Sequence, residues 1–127
     1  MLDFTKDSVF NLHKTDNSNL NKNAAAILIA GEEVVGVYKT VRDQVVFTNK
    51  RIITVDVEGV TGARQEIASL PYNRVQYFTI QTKGFLEMLP DSELVLHFSN
   101  GLQLTFDFRG KNDICEISRV IGTYALD

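Results

Sequence analysis

Tryptophan is absent from this chain, cysteine occurs once and proline only twice. The lone thiol, Cys115, closes no intramolecular disulfide, and a metal site would need its ligands from elsewhere. The two histidines, His13 and His97, stand 84 positions apart and form no local ligand pair. Neither a Gly-rich phosphate loop nor an Asp-x-Asp calcium loop is present. Charge of one sign is scarce too. Lys and Arg number 13 against 16 Asp and Glu, and a net −3 offers no field to hold a nucleic-acid backbone. The longest apolar run, Ala24 to Ala30, has seven residues, where a membrane-spanning helix needs roughly 20. Met1 to Asn23 alternates three lysines with three aspartates, unlike a secretory signal. Cytoplasmic residence is therefore expected, and the free thiol agrees with it. No cofactor and no metal are expected.

What is present suits one soluble domain: 127 residues, 44% hydrophobic and 23% charged. From Val34 to Phe108, Val, Ile and Thr supply 22 of 75 residues, a density that favours pleated strands. The spacing predicts strands at Val34–Thr40, Asp43–Phe47, Arg51–Val57, Arg64–Ala68, Val75–Thr82, Glu93–Phe98 and Leu102–Arg109. Thr48-Asn49-Lys50 is read as a turn because Asn tolerates positive φ, and Ser99-Asn100-Gly101 as the sharpest hairpin. Around it, Leu94, Leu96 and Phe98, then Leu104, Phe106 and Phe108, alternate with a mostly polar set, Glu93, Val95 and His97, then Gln103, Thr105 and Asp107. That is one wall of a half-buried sandwich or barrel.

Helices are predicted at both ends. Residues 1–30 read as a polar arm with a short helix over Leu20–Ile27, with Asn17, Ser18 and Asn19 as candidate caps and Gly31 as the stop. Residues 31–127 form the main domain. Near its end Ile114, Ile117, Ile121 and Tyr124 make one apolar stripe, with Asp113 and Glu116 spaced as a capping box. Charge is uneven, at 0 over residues 1–30, +1 over 31–83 and −4 over 84–127, a pattern open to head-to-tail self-association or to ordinary surface scatter.

Strand succession closed by a terminal helix is the outline of the pleckstrin-homology superfold. Gly31-Glu32-Glu33-Val34-Val35-Gly36-Val37-Tyr38-Lys39, followed by Val41-Arg42-Asp43-Gln44-Val45-Val46-Phe47-Thr48-Asn49-Lys50-Arg51-Ile52-Ile53, closely resembles the bacterial pleckstrin-homology-like family. The likeness continues through Val55-Asp56, Gly59-Val60-Thr61-Gly62, Ile67, Ser69 and Pro71-Tyr72, then Asp91-Ser92-Glu93-Leu94 and Asp113 to Ile117, over about residues 28–125. Ala30 stands where members commonly have Pro, and Phe85 to Pro90 is more apolar than their acidic lead. The resemblance implies a mainly β, partly open PH-like barrel of two orthogonal antiparallel sheets capped by the C-terminal helix. It also implies a cyclic homo-oligomer, pentameric for the single-domain form, with ligand sites on one face and no enzymatic activity.

The candidate binding residues are Lys39, Arg42, Asp43, Lys50, Arg51 and Tyr72. Lys39, Arg42, Lys50 and Arg51 form a basic set suited to an anion or an acidic peptide, and Thr48-Asn49-Lys50-Arg51 could offer backbone N–H groups as a small nest. The structural alternative makes Arg42 and Asp43 a pair and Lys50-Arg51 ordinary turn residues. Two cations at the short Val41-Arg42 link, with Asp43 adjacent, would neutralise an inositol polyphosphate poorly. Tyr72 either lines a pocket or fills a barrel corner. His97 reads as an exposed strand histidine and Cys115 as a filler near a helix start. No nucleophile, base and orienting group are visible together.

Val35, Val37, Val45, Val55, Val57 and Val95 are too many for one inward face, so a second cover is required, either the N-terminal helix or another subunit. The reading is a non-enzymatic PH-like binding or scaffold module that assembles into a ring and takes a peptide or small anionic ligand. The alternative is a peripheral module on anionic lipid.

Overall fold

The computed structural model describes residues 8–82, 91–110 and 112–126. The apolar Phe85 to Pro90 segment lies outside them. Eight strands, β1 (Ser8–Thr15), β2 (Val34–Lys39), β3 (Gln44–Thr48), β4 (Arg51–Glu58), β5 (Arg64–Pro71), β6 (Val75–Thr82), β7 (Ser92–Phe98) and β8 (Gln103–Arg109), form one sheet in the order β5-β4-β3-β2-β1-β8-β7-β6. Among the described residues two α-helices accompany them, α1 (Lys22–Ala26) and α2 (Ile114–Ala125). The mainly β, PH-like fold stands, with eight strands among the described residues in place of seven and one curled sheet in place of two antiparallel ones. β1 joins two antiparallel blocks, β2–β5 and β6–β8, and its pairing with β8 is parallel.

By sequence alone β1 falls inside the polar arm of residues 1–30. Its period of two is real: Phe10 and Leu12 are buried while Asn11 and His13 are exposed. Two apolar positions among charges and amides left that alternation faint. What decides the strand is the partner on each side, β2 and β8.

The sheet curls. Phe47 on β3 and Phe106 on β8 are three strand steps apart, about 14 Å on a flat sheet. Their ring centroids are 5.5 Å apart. Phe10, Tyr38, Phe47, Phe106 and Phe108 fill the concave side, joined by Leu94, Leu96, Ile52 and Tyr72. α2 closes this core with Ile114, Ile117 and Ile121, all buried. Each such isoleucine contributes about 2 kcal/mol of burial. Tyr124 continues the stripe at the rim, its ring 6.1 Å from that of Tyr72.

Asp113 does not cap α2 with its side chain. The Ile114 N–H goes instead to Asn112 Oδ1 at 3.1 Å. Asp113 Oδ2 accepts from the Tyr38 hydroxyl at 2.8 Å, and Oδ1 accepts from Lys14 Nζ at 2.8 Å. The Tyr38 oxygen in turn accepts from the Asp113 N–H at 2.7 Å. This polar knot fixes the start of α2 to β1 and β2. Gly36 is required beside it, since a Cβ there would stand 2.7 Å from Asp113 Oδ2.

The convex side of β2–β5 carries a second apolar cluster of Val37, Val46, Ile53 and Val55 with Ala24, edged by Leu20, Leu28, Val34, Val57 and Ile67. Its cover is the N-terminal segment. Val35 packs on the inner core, Val45 lies within it, and Val95 is half-buried on β7. α1 is shorter than the predicted Leu20–Ile27 helix and is capped by Asn21, whose Oδ1 accepts from Asn23 and Ala24 N–H at 2.8 and 3.1 Å. Asp16 caps the preceding 3-10 turn, Asn17–Asn19, where the Ser18 N–H holds its carboxyl below the usual range.

Candidate functional site

β3 separates the predicted basic set into two pairs. Lys39 and Arg42 flank its start, and Lys50 and Arg51 follow its end. Five residues of extended chain place the pairs about 17 Å apart.

At the first end, a Thr40 to Asp43 turn is closed by Thr40 N–H to Asp43 O at 3.1 Å and by Asp43 N–H to Thr40 Oγ1 at 3.1 Å. Asp43 Oδ1 accepts from the Val57 N–H at 2.9 Å. Arg42 Nη2 donates to the Gly59 carbonyl. Arg42 thus holds the β4–β5 turn, and Asp43 holds the end of β4 just before it. Val41 and Val60, at the two tips so joined, are fully exposed.

At the other end Arg51 is structural. Its Nε and Nη2 grip Glu32 Oε2 and Oε1 at 3.0 and 2.9 Å, Nη2 also reaches the Ile27 carbonyl at 2.7 Å, and Nη1 reaches Ser69 Oγ at 3.0 Å. Glu32 is wholly buried at its side chain and accepts from the Thr48 hydroxyl at 2.6 Å. Burial pushes the Glu32 carboxyl up, but the Arg51 and Thr48 hydrogen bonds, the Ile29 N–H and the Arg51 charge outweigh it and hold it below the ordinary glutamate value.

The β3–β4 turn departs from expectation in mechanism. No non-glycine residue has positive φ among the described residues. Thr48 Oγ1 accepts from the Lys50 and Arg51 N–H groups at 3.0 Å each, so the hydroxyl makes the turn. These N–H groups are therefore occupied, and no open nest remains for an anion. Asn49 instead binds the incoming chain, donating to the Gly31 carbonyl at 3.0 Å and accepting from the Glu33 N–H at 2.8 Å.

Tyr72 fills a corner. It is 1% exposed and donates to the Thr48 carbonyl at 2.7 Å. Burial, with the Glu32 charge behind it, pushes its phenol up; burial and the Asp113 hydrogen bond do the same for Tyr38. Both remain neutral donors at any physiological pH. His97 lies on the outer face, its ring stacked 4.0 Å from that of Tyr77. Cys115 is half-buried against the core. His97 and Cys115 are thus on different faces, and among the described residues no group of three metal-ligating side chains occurs. Nor is any helix long and apolar enough to cross a membrane.

Of the six predicted residues, Arg42, Asp43, Arg51 and Tyr72 hold the scaffold. Lys39 and Lys50 have no side-chain partner among the described residues.

The family model described as "Bacterial PH domain" matches residues 3–125. The chain is 37% identical over 105 residues to the Bacillus subtilis protein "Uncharacterized protein YjqA", covering 80% of this chain and 82% of that one. It is similar in structure to a DUF1696 family protein with a pleckstrin-homology domain from Shewanella loihica, with a TM-score of 0.69, 30% identity and coverage of 91% and 98%. A pleckstrin homology domain from Shewanella amazonensis aligns with a TM-score of 0.57 and 36% identity, covering 89% and 90%. The β1 strand, outside the domain expected from residue 31 onward, falls within the matched range. The chain belongs to the bacterial PH domain family.

Proposed function

We propose that this protein is a non-enzymatic binding module that assembles head-to-tail into a closed ring and presents sites for a peptide or small anionic ligand. The observation that carries the assembly is the pair of sheet edges. Among the described residues no strand pairs with the outer side of β5 or of β6. β6, Val75-Gln76-Tyr77-Phe78-Thr79-Ile80-Gln81-Thr82, contains neither charge nor proline, the devices that normally protect an edge. The two edges differ in sequence, so β5 of one copy meeting β6 of the next is a heterologous contact, the kind that builds a ring when the rotation between copies closes. Lysines introduced at the exposed positions Thr79 and Gln81 are expected to reduce the assembly to single chains without loss of the fold. A T79K/Q81K variant with wild-type mass in size-exclusion chromatography with light scattering would reject this edge.

A second reading is supported by Val41 and Val60, two fully exposed apolar tips beside Lys39 and Arg42. Such a tip suits the surface of anionic lipid. Sedimentation with phosphatidylglycerol vesicles at low and physiological salt tests it, and no lipid-dependent shift at either salt removes it.

A further inference from the structure

The strand register brings together three basic side chains that are far apart in the sequence. His13 on β1 lies opposite Lys39 on β2 and, on its other side, opposite Arg109 on β8. Directly opposed residues share a face. The face is the convex one, because the neighbours Leu12 and Phe108 are buried in the inner core while Val37, two residues before Lys39, belongs to the outer cluster. All three side chains are exposed. With strands about 4.8 Å apart, the row runs about 10 Å across three strands.

Little neutralises it. Among the described residues the side chains of His13 and Lys39 have no hydrogen-bond or ion-pair partner. Arg109 Nη2 stands 2.9 Å from Asp107 Oδ2, the one carboxylate paired to the row. One end is walled by Gln44, which lies opposite Lys39 and is held by the N-terminal segment through the Asn19 carbonyl and the Asn21 N–H at 2.8 Å each. We propose that Lys39, His13 and Arg109 form a site for a ligand carrying two or more phosphate charges. Arg supplies a planar fork, Lys a point charge and the imidazole a further donor. A row of this length spans adjacent phosphates where a single carboxylate would reach only one or two of the three groups. The inference rests on the anionic-ligand part of the proposed function and replaces Arg42, Lys50 and Arg51 as the companions of Lys39.

The test is a titration of the full chain with inorganic pyrophosphate at low salt and about pH 6. Imidazole resonances are followed by NMR, with His97 as internal control. Saturable movement of the His13 ring with His97 unmoved is expected, and Lys39→Gln or Arg109→Gln weakens binding by about tenfold or more. Both replaced side chains are exposed, and the amide spectrum reports that the fold is kept. A second arm adds vesicles of phosphatidylglycerol and phosphatidylcholine. An effect on His13 in that arm alone assigns the phosphate to a lipid surface, and an effect with pyrophosphate assigns it to a soluble ligand. If His13 moves in neither arm, or only together with His97, the site is wrong. The mass of the assembly is read separately, so a failed titration of an assembled protein rejects this row and leaves the ring.

Discussion

Replacing Tyr38 by alanine is expected to lower the unfolding free energy by about 4 kcal/mol, the scale of a large aromatic lost from a packed core. Tyr38 is fully buried, and its ring meets Phe108 at 4.9 Å and Phe47 at 5.6 Å. Its hydroxyl also holds Asp113, which carries Lys14. Tyr38→Phe separates these roles. It keeps the ring contacts and is expected to cost about 1.5 kcal/mol, since the Asp113 carboxylate and N–H each lose a partner. Urea denaturation of both variants measures the difference. Equal losses would mean that the hydroxyl network, rather than the ring, closes this corner.

Arg51→Ala is expected to cost about 3 kcal/mol at neutral pH, because it strands the buried Glu32 carboxylate. The effect has a pH sign. Glu32 is held below its ordinary value in the folded chain. The stabilisation it provides is therefore complete above the usual glutamate range and is lost as pH falls through the lowered folded value. The gap between wild type and Arg51→Ala should narrow below about pH 4. Denaturation at pH 7 and at acid pH checks this, and a gap that widened on acidification would contradict it. Release should begin locally. Arg51 also holds the Ile27 carbonyl, so the N-terminal segment would lift from Val37, Val46, Ile53 and Val55 first and exchange its amide hydrogens sooner.

These contacts show which parts of the molecule the sequence made legible. The β7–β8 hairpin was, because Leu94 to Phe98 and Leu104 to Phe108 alternate without interruption. So was α2, whose isoleucines follow a helical period. β1 was not, since Phe10 and Leu12 alone mark its buried face and its strand partners lie far along the chain. Arg51 resembles a ligand residue in sequence because its counter-ion, Glu32, sits 19 positions earlier, with β2 and β3 between them. Asp113 has the spacing of a cap, yet Tyr38, 75 residues away, takes its carboxylate. The companions of Lys39 were hidden for the same reason. His13 meets it through the antiparallel β1–β2 pairing and Arg109 joins through the parallel β1–β8 pairing, neither of which a local pattern announces. Local periodicity reveals faces, and partners across strands require the register.

Two differing edges on one curled sheet, of which β6 carries neither charge nor proline, are the basis of the assembly proposed for this chain. The most direct measurement is the mass of the full-length protein in solution by light scattering across a dilution series. A discrete species of about five times 14.3 kDa, stable on dilution, is the predicted result. A single species of 14.3 kDa at every concentration would contradict it.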